Sequence, residues 1–146
     1  MKLQELILTA AMVILLAGCQ TPEGAYVAVA KPNSPEAAGA PIVLLNNDLL
    51  RTLAVDKAPL VDRDETGRLR VQIGLRSRVD DENLQLQAQT LWMNDAGRVL
   101  YSEPGSEAPW QTFTISPNQT VYYSQTALTS EATRFSIRVR YTAKAK

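Results

Sequence analysis

Leu69-Arg70-Val71-Gln72-Ile73-Gly74-Leu75-Arg76 is the stretch that decides the fold. Large apolar residues stand at 69, 71, 73 and 75, with polar or small residues between them. Successive side chains of a strand point to opposite faces, so this spacing gives one buried face and one wet face. A helix would scatter the same residues around its axis. The pattern recurs downstream. Leu84, Leu86, Ala88, Thr90 and Trp92 alternate with Gln85, Gln87 and Gln89. Phe135, Ile137, Val139 and Tyr141 alternate with Arg134, Ser136, Arg138 and Arg140. Leu69, Val71, Ile73, Leu75, Trp92, Phe135, Ile137 and Val139 are therefore the expected core. Three further aromatics, Trp110, Phe113 and Tyr123, are read as core as well. Shorter strands are expected at 42–45, 49–55, 99–101, 110–115 and 121–124. Turn-forming clusters separate them: Asp64-Glu65-Thr66-Gly67, Asp80-Asp81-Glu82-Asn83, Asn94-Asp95-Ala96-Gly97, Glu103-Pro104-Gly105 and Ser116-Pro117-Asn118. No window after Cys19 has a helical period. About seven or eight short strands in ~100 residues read as an all-β fold, an antiparallel immunoglobulin-like β-sandwich over residues 42–146.

The amino-terminal part has a different character. Leu6 to Leu16 is almost wholly apolar and follows Lys2. As a helix it would be about 16 Å long, short of a ~30 Å hydrocarbon core. It reads as the apolar region of a signal peptide over residues 1–18. The segment ends Leu16-Ala17-Gly18-Cys19, which resembles the bacterial lipobox. In that motif two small residues let the chain thread into a peptidase, and the cysteine thiol takes a diacylglycerol. Cys19 is the expected lipid attachment, with further acylation of the freed amine. Several acyl chains anchor far better than one, at ~0.8 kcal/mol per buried CH₂. Gln20 follows in place of the Asp that favours inner-membrane retention, so an outer-membrane anchor with the domain in the periplasm is expected. Residues 19–41 carry Pro22, Pro32, Pro35 and Pro41 among many alanines. They read as a flexible tether with an r.m.s. span of roughly 25 Å. Tyr26-Val27-Ala28-Val29 within it has the pattern of a short strand docked on the domain, and the preferred reading is a loosely ordered segment.

Composition narrows the function. The 146 residues hold 15 basic and 15 acidic side chains, for a formal net charge of zero. A nucleic-acid partner normally calls for a basic excess. There is no histidine, which removes Ser-His-Asp and Cys-His catalysis and most zinc sites. The single cysteine excludes an internal disulfide. No two glycines lie two apart, so dinucleotide fingerprints are missing. No cofactor and no metal is expected.

One match to catalytic chemistry is misleading. Asp62-Arg63-Asp64-Glu65-Thr66 after an apolar run resembles the nucleophile loop of haloacid-dehalogenase-type phosphatases. There the first Asp attacks phosphorus, the second is acid and base, and Mg²⁺ bridges the site. That chemistry needs an α/β scaffold and a well-placed Lys, and after Thr66 this sequence reads as strands. A metal-dependent phosphatase using Asp62 and Asp64 is thus the alternative reading. The preferred one is an exposed turn with solvated acids, indifferent to Asp→Asn changes. Asp62, Asp64, Thr66 and Gly67 also match the start of a calcium loop, but position twelve is Ile73 in place of a bidentate Glu. Asn118-Gln119-Thr120 is formally a glycosylation sequon and reads as a turn.

Arginine is unevenly spread. Arg70 and Arg76 lie on one alternating strand, and Arg138 and Arg140 on another. If the two strands share or adjoin a sheet, these four form a basic surface for lipid phosphates or for carboxylates of peptidoglycan peptides. Outward Arg also serves simply to keep a strand soluble.

The second half resembles a known family. Leu91-Trp92-Met93-Asn94-Asp95-Ala96-Gly97 looks like the hydrophobic-Trp-aromatic-Asp-x-x-Gly hairpin of the YcfL-like group of small periplasmic lipoproteins. Trp110 before Phe113 and Ile115, the turn 116–120, and Ala132-Thr133-Arg134-Phe135-Ser136-Ile137-Arg138-Val139-Arg140 follow in the same order. Met93-Asn94 departs from the family, which tends to have an aromatic and Asp. The resemblance implies architecture and location rather than an activity. Because members tend to be encoded near an activator of a peptidoglycan synthase, it makes envelope or peptidoglycan assembly a thinkable setting. The sequence as a whole reads as a membrane-anchored, non-enzymatic binding or scaffold lipoprotein. Its expected partner is another envelope protein or peptidoglycan, met at sheet edges or loops.

Overall fold

The computed structural model describes residues 29–30, 40–100 and 106–142. The elements are β1 (Val29–Ala30), β2 (Ile42–Leu44), a short helical turn α1 (Leu49–Thr52), β3 (Leu53–Val55), β4 (Leu60–Arg63), β5 (Leu69–Ser77), β6 (Leu84–Met93), β7 (Val99–Leu100), β8 (Gln111–Ile115), β9 (Thr120–Thr126) and β10 (Arg134–Tyr141). They form two sheets. The larger runs β1-β2-β10-β6, with β7 and β8 both paired to β6. The smaller has β5 at its centre, with β3 and β4 end to end on one side and β9 on the other.

The alternation forecasts the core with its phase intact. Val71, Ile73 and Leu75 of β5, Leu84, Leu86 and Ala88 of β6, and Ile137 and Val139 of β10 are all buried in one cluster. Trp92 is buried with them, and Phe135 packs half-buried against it with ring centroids 6.5 Å apart. Both sheets turn these residues inward, so one apolar core fills the space between them and an all-β sandwich results. A hydroxyl pair spans that core: Thr90 on β6 and Tyr123 on β9 are bonded at 2.9 Å. Burial pushes the Tyr123 phenol up from its ordinary value, and the bond to Thr90 opposes this in part.

The turns follow their chemistry. Gly67 and Gly97 adopt φ of +78° and +75°, the left-handed region where a Cβ is costly. Each closes a hairpin in which the N–H of the Gly is donated back to the carbonyl of Asp64 or Asn94. Ser116-Pro117-Asn118-Gln119 places Pro second and Asn118 third at φ +56°, the signature of a type II turn.

Four expectations need correction. The fold is not purely antiparallel: β2 pairs in parallel with β10, and β1 in parallel with β2. The segment 49–55 is half helical turn and half strand, because Asp48 and Thr52 satisfy one another's backbone across that turn. Val29 and Ala30, read as tether, are paired against Ile42 and Val43. Trp110 lies outside the core, against Arg140. The expected signal segment, Cys19 and most of the tether lie outside the described residues. No helix among the described residues is long and apolar enough to cross a membrane.

Ile137 is fully buried between β2 and β6, whereas its neighbour Arg138 is exposed. Ile137→Ala is expected to cost about 2–5 kcal/mol. Arg138→Ala should stay within about 0.5 kcal/mol, as at ordinary surface sites. Urea unfolding midpoints at a common m value check the pair.

Candidate functional site

The four arginines expected to share a surface divide between the two sheets. Arg70 and Arg76 lie on β5 in the smaller sheet, and Arg138 and Arg140 on β10 in the larger one. Both strands send their apolar residues into the common core. Their arginines therefore face away from each other on opposite sides of the sandwich.

The two sides also differ in charge. On the smaller sheet Asp62 of β4 stands directly opposite Arg70. Nε and Nη2 of Arg70 donate to the two carboxylate oxygens at 2.8 and 2.5 Å, a forked pair. The Arg70 guanidinium holds the Asp62 carboxyl below the usual carboxylate range. On the larger sheet none of the six strands contains an Asp or Glu, while β10 carries Arg134, Arg138 and Arg140. Arg134 and Arg138 are exposed and have no ion pair among the described residues.

Arg140 is held in place. Its Cζ lies 3.8 Å from the centroid of the Trp110 ring, a cation–π stack. Its Nε donates to Oε1 of Gln87 at 3.0 Å. Gln87 in turn donates Nε2 to Oγ1 of Thr112 at 3.1 Å, and Thr114 donates to Gln85 at 3.0 Å. The nearby Gln89 is buried and donates to the Ala108 carbonyl. The outer face of β6 and β8 thus carries two cross-strand Gln–Thr bonds beside a stacked guanidinium. With Nε used and the plane stacked, the two terminal nitrogens of Arg140 have no hydrogen-bond partner among the described residues and can meet an anion. The role of Trp110 escapes sequence reading because an aromatic in an alternating strand looks the same on either face. The only signal is phase: Trp110 is one residue out of step with Phe113 and Ile115, which share the inward parity of β8.

The Asp-x-Asp-x-Thr segment is exposed and runs into a turn as expected, but its acids are engaged by neighbouring donors and not left to solvent. Asp62 lies within β4 and is engaged by Arg70. Asp64 is the hub of the following turn. Its Oδ1 accepts from Thr66 N at 2.9 Å, Thr66 Oγ1 at 2.7 Å and Arg68 N at 3.0 Å; its Oδ2 accepts from Arg68 Nε at 2.9 Å. The Thr66 hydroxyl, with help from Arg68, drives the Asp64 carboxyl far below the usual range. Arg63, between the acids, reaches over the turn to the carbonyls of Gly67 at 2.6 Å and Ala132 at 3.2 Å. Among the described residues every element after Thr66 is a strand, and they do not build the α/β scaffold of a phosphoaspartyl enzyme. The carboxylate oxygens that would attack and hold Mg²⁺ are spent on neighbouring donors. Among the described residues no three acidic or sulfur side chains converge as metal ligands.

Two hollows complete the surface. One of about 570 Å³ lies between Asp48, Glu82 and Tyr141. The other, of about 200 Å³, opens between the sheets at Thr90, Trp92, Tyr123 and the segment 106–109. Neither contains Arg138 or Arg140.

No family model matches the sequence, and no curated protein matches it. Two solved structures share the fold. One is cj0090 of Campylobacter jejuni, at 18% identity and a TM-score of 0.52, covering 70% of this chain and 98% of that one. The other is a DUF1425 family member from Shewanella sp. pv-4, at 18% identity and a TM-score of 0.53, covering 64% of this chain and 81% of that one. The chain therefore shares an all-β sandwich with small bacterial proteins, and at that identity the likeness speaks for the fold alone.

The carboxylates of Asp62 and Asp64 carry a pH signature. Both have folded-state pKa values below those of an unfolded chain, near 3.9. Their contribution to stability is complete above that value and is lost as pH falls below it. Asp64→Asn should lower the urea midpoint at pH 7, and the gap to the unsubstituted protein should close as pH drops below ~4. A midpoint unchanged at pH 7 would return Asp64 to the role of a solvated turn residue.

Proposed function

We propose that this chain is a lipid-anchored periplasmic lipoprotein of the YcfL-like kind. In this reading it is tethered to the outer membrane through Cys19 and acts as a non-enzymatic binding module. Its binding face is the outer side of the larger sheet, and its partner is peptidoglycan, through the carboxylates of the stem peptides. The observation that carries the reading is the combination of Arg134, Arg138 and Arg140 with six strands free of acidic residues. Trp110 and Gln87 support it, because they fix Arg140 while its terminal nitrogens have no partner among the described residues. The opposite sheet supplies the contrast, since Arg70 there is already satisfied by Asp62.

Magnitudes shape the expected behaviour. A solvent-exposed Arg–carboxylate pair contributes only about 0.2–1 kcal/mol. A single stem peptide would be held weakly by two or three such contacts. A cell-wall polymer repeats its carboxylates, and an anchored protein meets many of them at once, so binding gains from multivalency. The interaction should weaken with salt, since the Debye length falls to ~3 Å at 1 M.

Two measurements test this. Full-length protein should co-sediment with purified peptidoglycan at low ionic strength. The double change Arg138→Gln with Arg140→Gln should reduce retention roughly tenfold, the equivalent of about 1.4 kcal/mol. Equal retention of the double variant would remove the larger sheet as the binding face, and retention by a co-purifying envelope protein in place of the wall would redirect the partner. Separately, Cys19→Ala should yield a precursor without acyl label. An unmodified Cys19 in the mature protein by mass spectrometry would end the lipoprotein reading.

A further inference from the structure

We infer that β9 is a docking edge and that its occupant is a second copy of this chain, paired antiparallel about a two-fold axis. The inference concerns the smaller sheet and stands apart from the anion-binding face of the larger one.

β9 pairs with β5 on one side only. The N–H of Ala127 is donated to the Leu69 carbonyl, and the N–H of Ser77 to the Gln119 carbonyl. With those two ends fixed, the odd-numbered residues between them face β5. Thr120, Tyr122, Ser124 and Thr126 turn their N–H and C=O groups to the open side. None of these four makes a backbone bond on that side among the described residues. A row of unpaired groups on a strand of this length is a template for another strand, and proteins usually blunt it with charge, proline or a bulge.

Here the usual protection is missing. From Ala108 to Ser130 there is no charged residue, in a chain that is 21% charged overall. That stretch includes all of β8 and β9. The opposite edge of the same sheet is treated differently, with Asp62 and Arg63 in β4 and Asp56 after β3. Selective neutrality of one edge is expected where that edge is to be paired.

A second copy fits for three reasons. A neutral strand meets itself across a two-fold axis without like-charge repulsion. The four outward residues are self-complementary: with Tyr123 on the axis, Tyr122 pairs with Ser124 of the other copy and Thr120 with Thr126, so every open group is satisfied. Finally, Tyr122 is 66% exposed on the strand. It lies beside Gly74 of β5, where an added Cβ would come within 3.4 Å of the Tyr122 ring. In this register the two Tyr122 side chains are diagonal neighbours, about 7–8 Å apart and within reach of aromatic rings. An isologous contact of this kind closes on itself and buries the aggregation-prone edge.

The test uses the full chain in mild detergent, followed by sedimentation velocity. The unsubstituted protein should sediment as two chains. Ser124→Lys places a charge on an exposed side chain with no hydrogen-bond partner among the described residues. It should raise the dissociation constant roughly tenfold or more while leaving the circular dichroism and urea midpoint unchanged. Register is read by mixing Tyr122→Cys chains with Ser124→Cys chains under mild oxidation. The mixture should form a disulfide-linked pair, and either variant alone should form no more than the unsubstituted chain. A single chain at every concentration, a dimer indifferent to Ser124→Lys, or a crosslink without pairing preference would each overturn the inference. A monomer that binds unrelated extended peptides along β9 would assign the edge to another partner. Loss of this dimer would leave retention on peptidoglycan to be judged by the Arg138 and Arg140 changes alone.

Discussion

The apolar faces of β5 and β6 have to leave water, and neither strand can do so except against the other's sheet. Leu69, Val71, Ile73 and Leu75 on one strand and Leu84, Leu86 and Ala88 on the other are all buried in the same cluster. Each such side chain gains about 1.5–3 kcal/mol from burial. A slip of one residue would put the whole set into solvent and the arginines and glutamines inside. That penalty fixes the register of the central strands, and with it the direction in which every outward side chain points. The forked Arg70–Asp62 pair, the stacked Arg140 and the Gln–Thr bonds all depend on it.

The same constraint explains why the arginines part company. Sequence alternation says that Arg70 and Arg138 point away from the core. It does not say which sheet each strand joins, because that depends on partners distant in the chain. β5 takes β9, β3 and β4, whereas β10 inserts between β2 and β6. The parallel pairing of β2 with β10 brings Val43 beside Arg138 across 95 residues of chain, and nothing local encodes it. What local pattern does encode was legible: strand phase, the left-handed turns at Gly67 and Gly97, and the core from Leu69 to Val139. Asp64 falls between these cases. An Asx-type turn with Thr two residues on is a recognisable signal, yet the resemblance to a catalytic loop drew attention to the acids as free groups when their neighbours consume them.

Charge placement then separates the surfaces by use. On the smaller sheet's face, Arg70 and Asp62 are paired at short range and cancel, while Arg76 has no ion pair among the described residues. On the larger sheet's face, the arginines of β10 have no ion pair among the described residues, and the most restrained of them is stacked on an aromatic ring. Restraint matters because an Arg already fixed loses less side-chain freedom on meeting an anion, a freedom of about 2 kcal/mol for a loose one. A face built to be merely soluble would not need Trp110 beneath Arg140, since a flexible Arg solvates itself as well.

The core hydroxyl pair belongs to the same economy of placement. Thr90 and Tyr123 are polar groups that join the inner faces of the two sheets, and each satisfies the other at 2.9 Å. Tyr123 also meets Phe113 at 6.3 Å between ring centroids. A buried hydroxyl without its partner would cost about 1–3 kcal/mol, so the pair favours the spacing between the sheets at which both hydroxyls are satisfied. It ties β9, whose outer edge is open, to β6, which supports the Arg140 network through Gln87. The strand that offers the neutral edge and the strand beneath the basic face are therefore joined through the core as well as through the sheets.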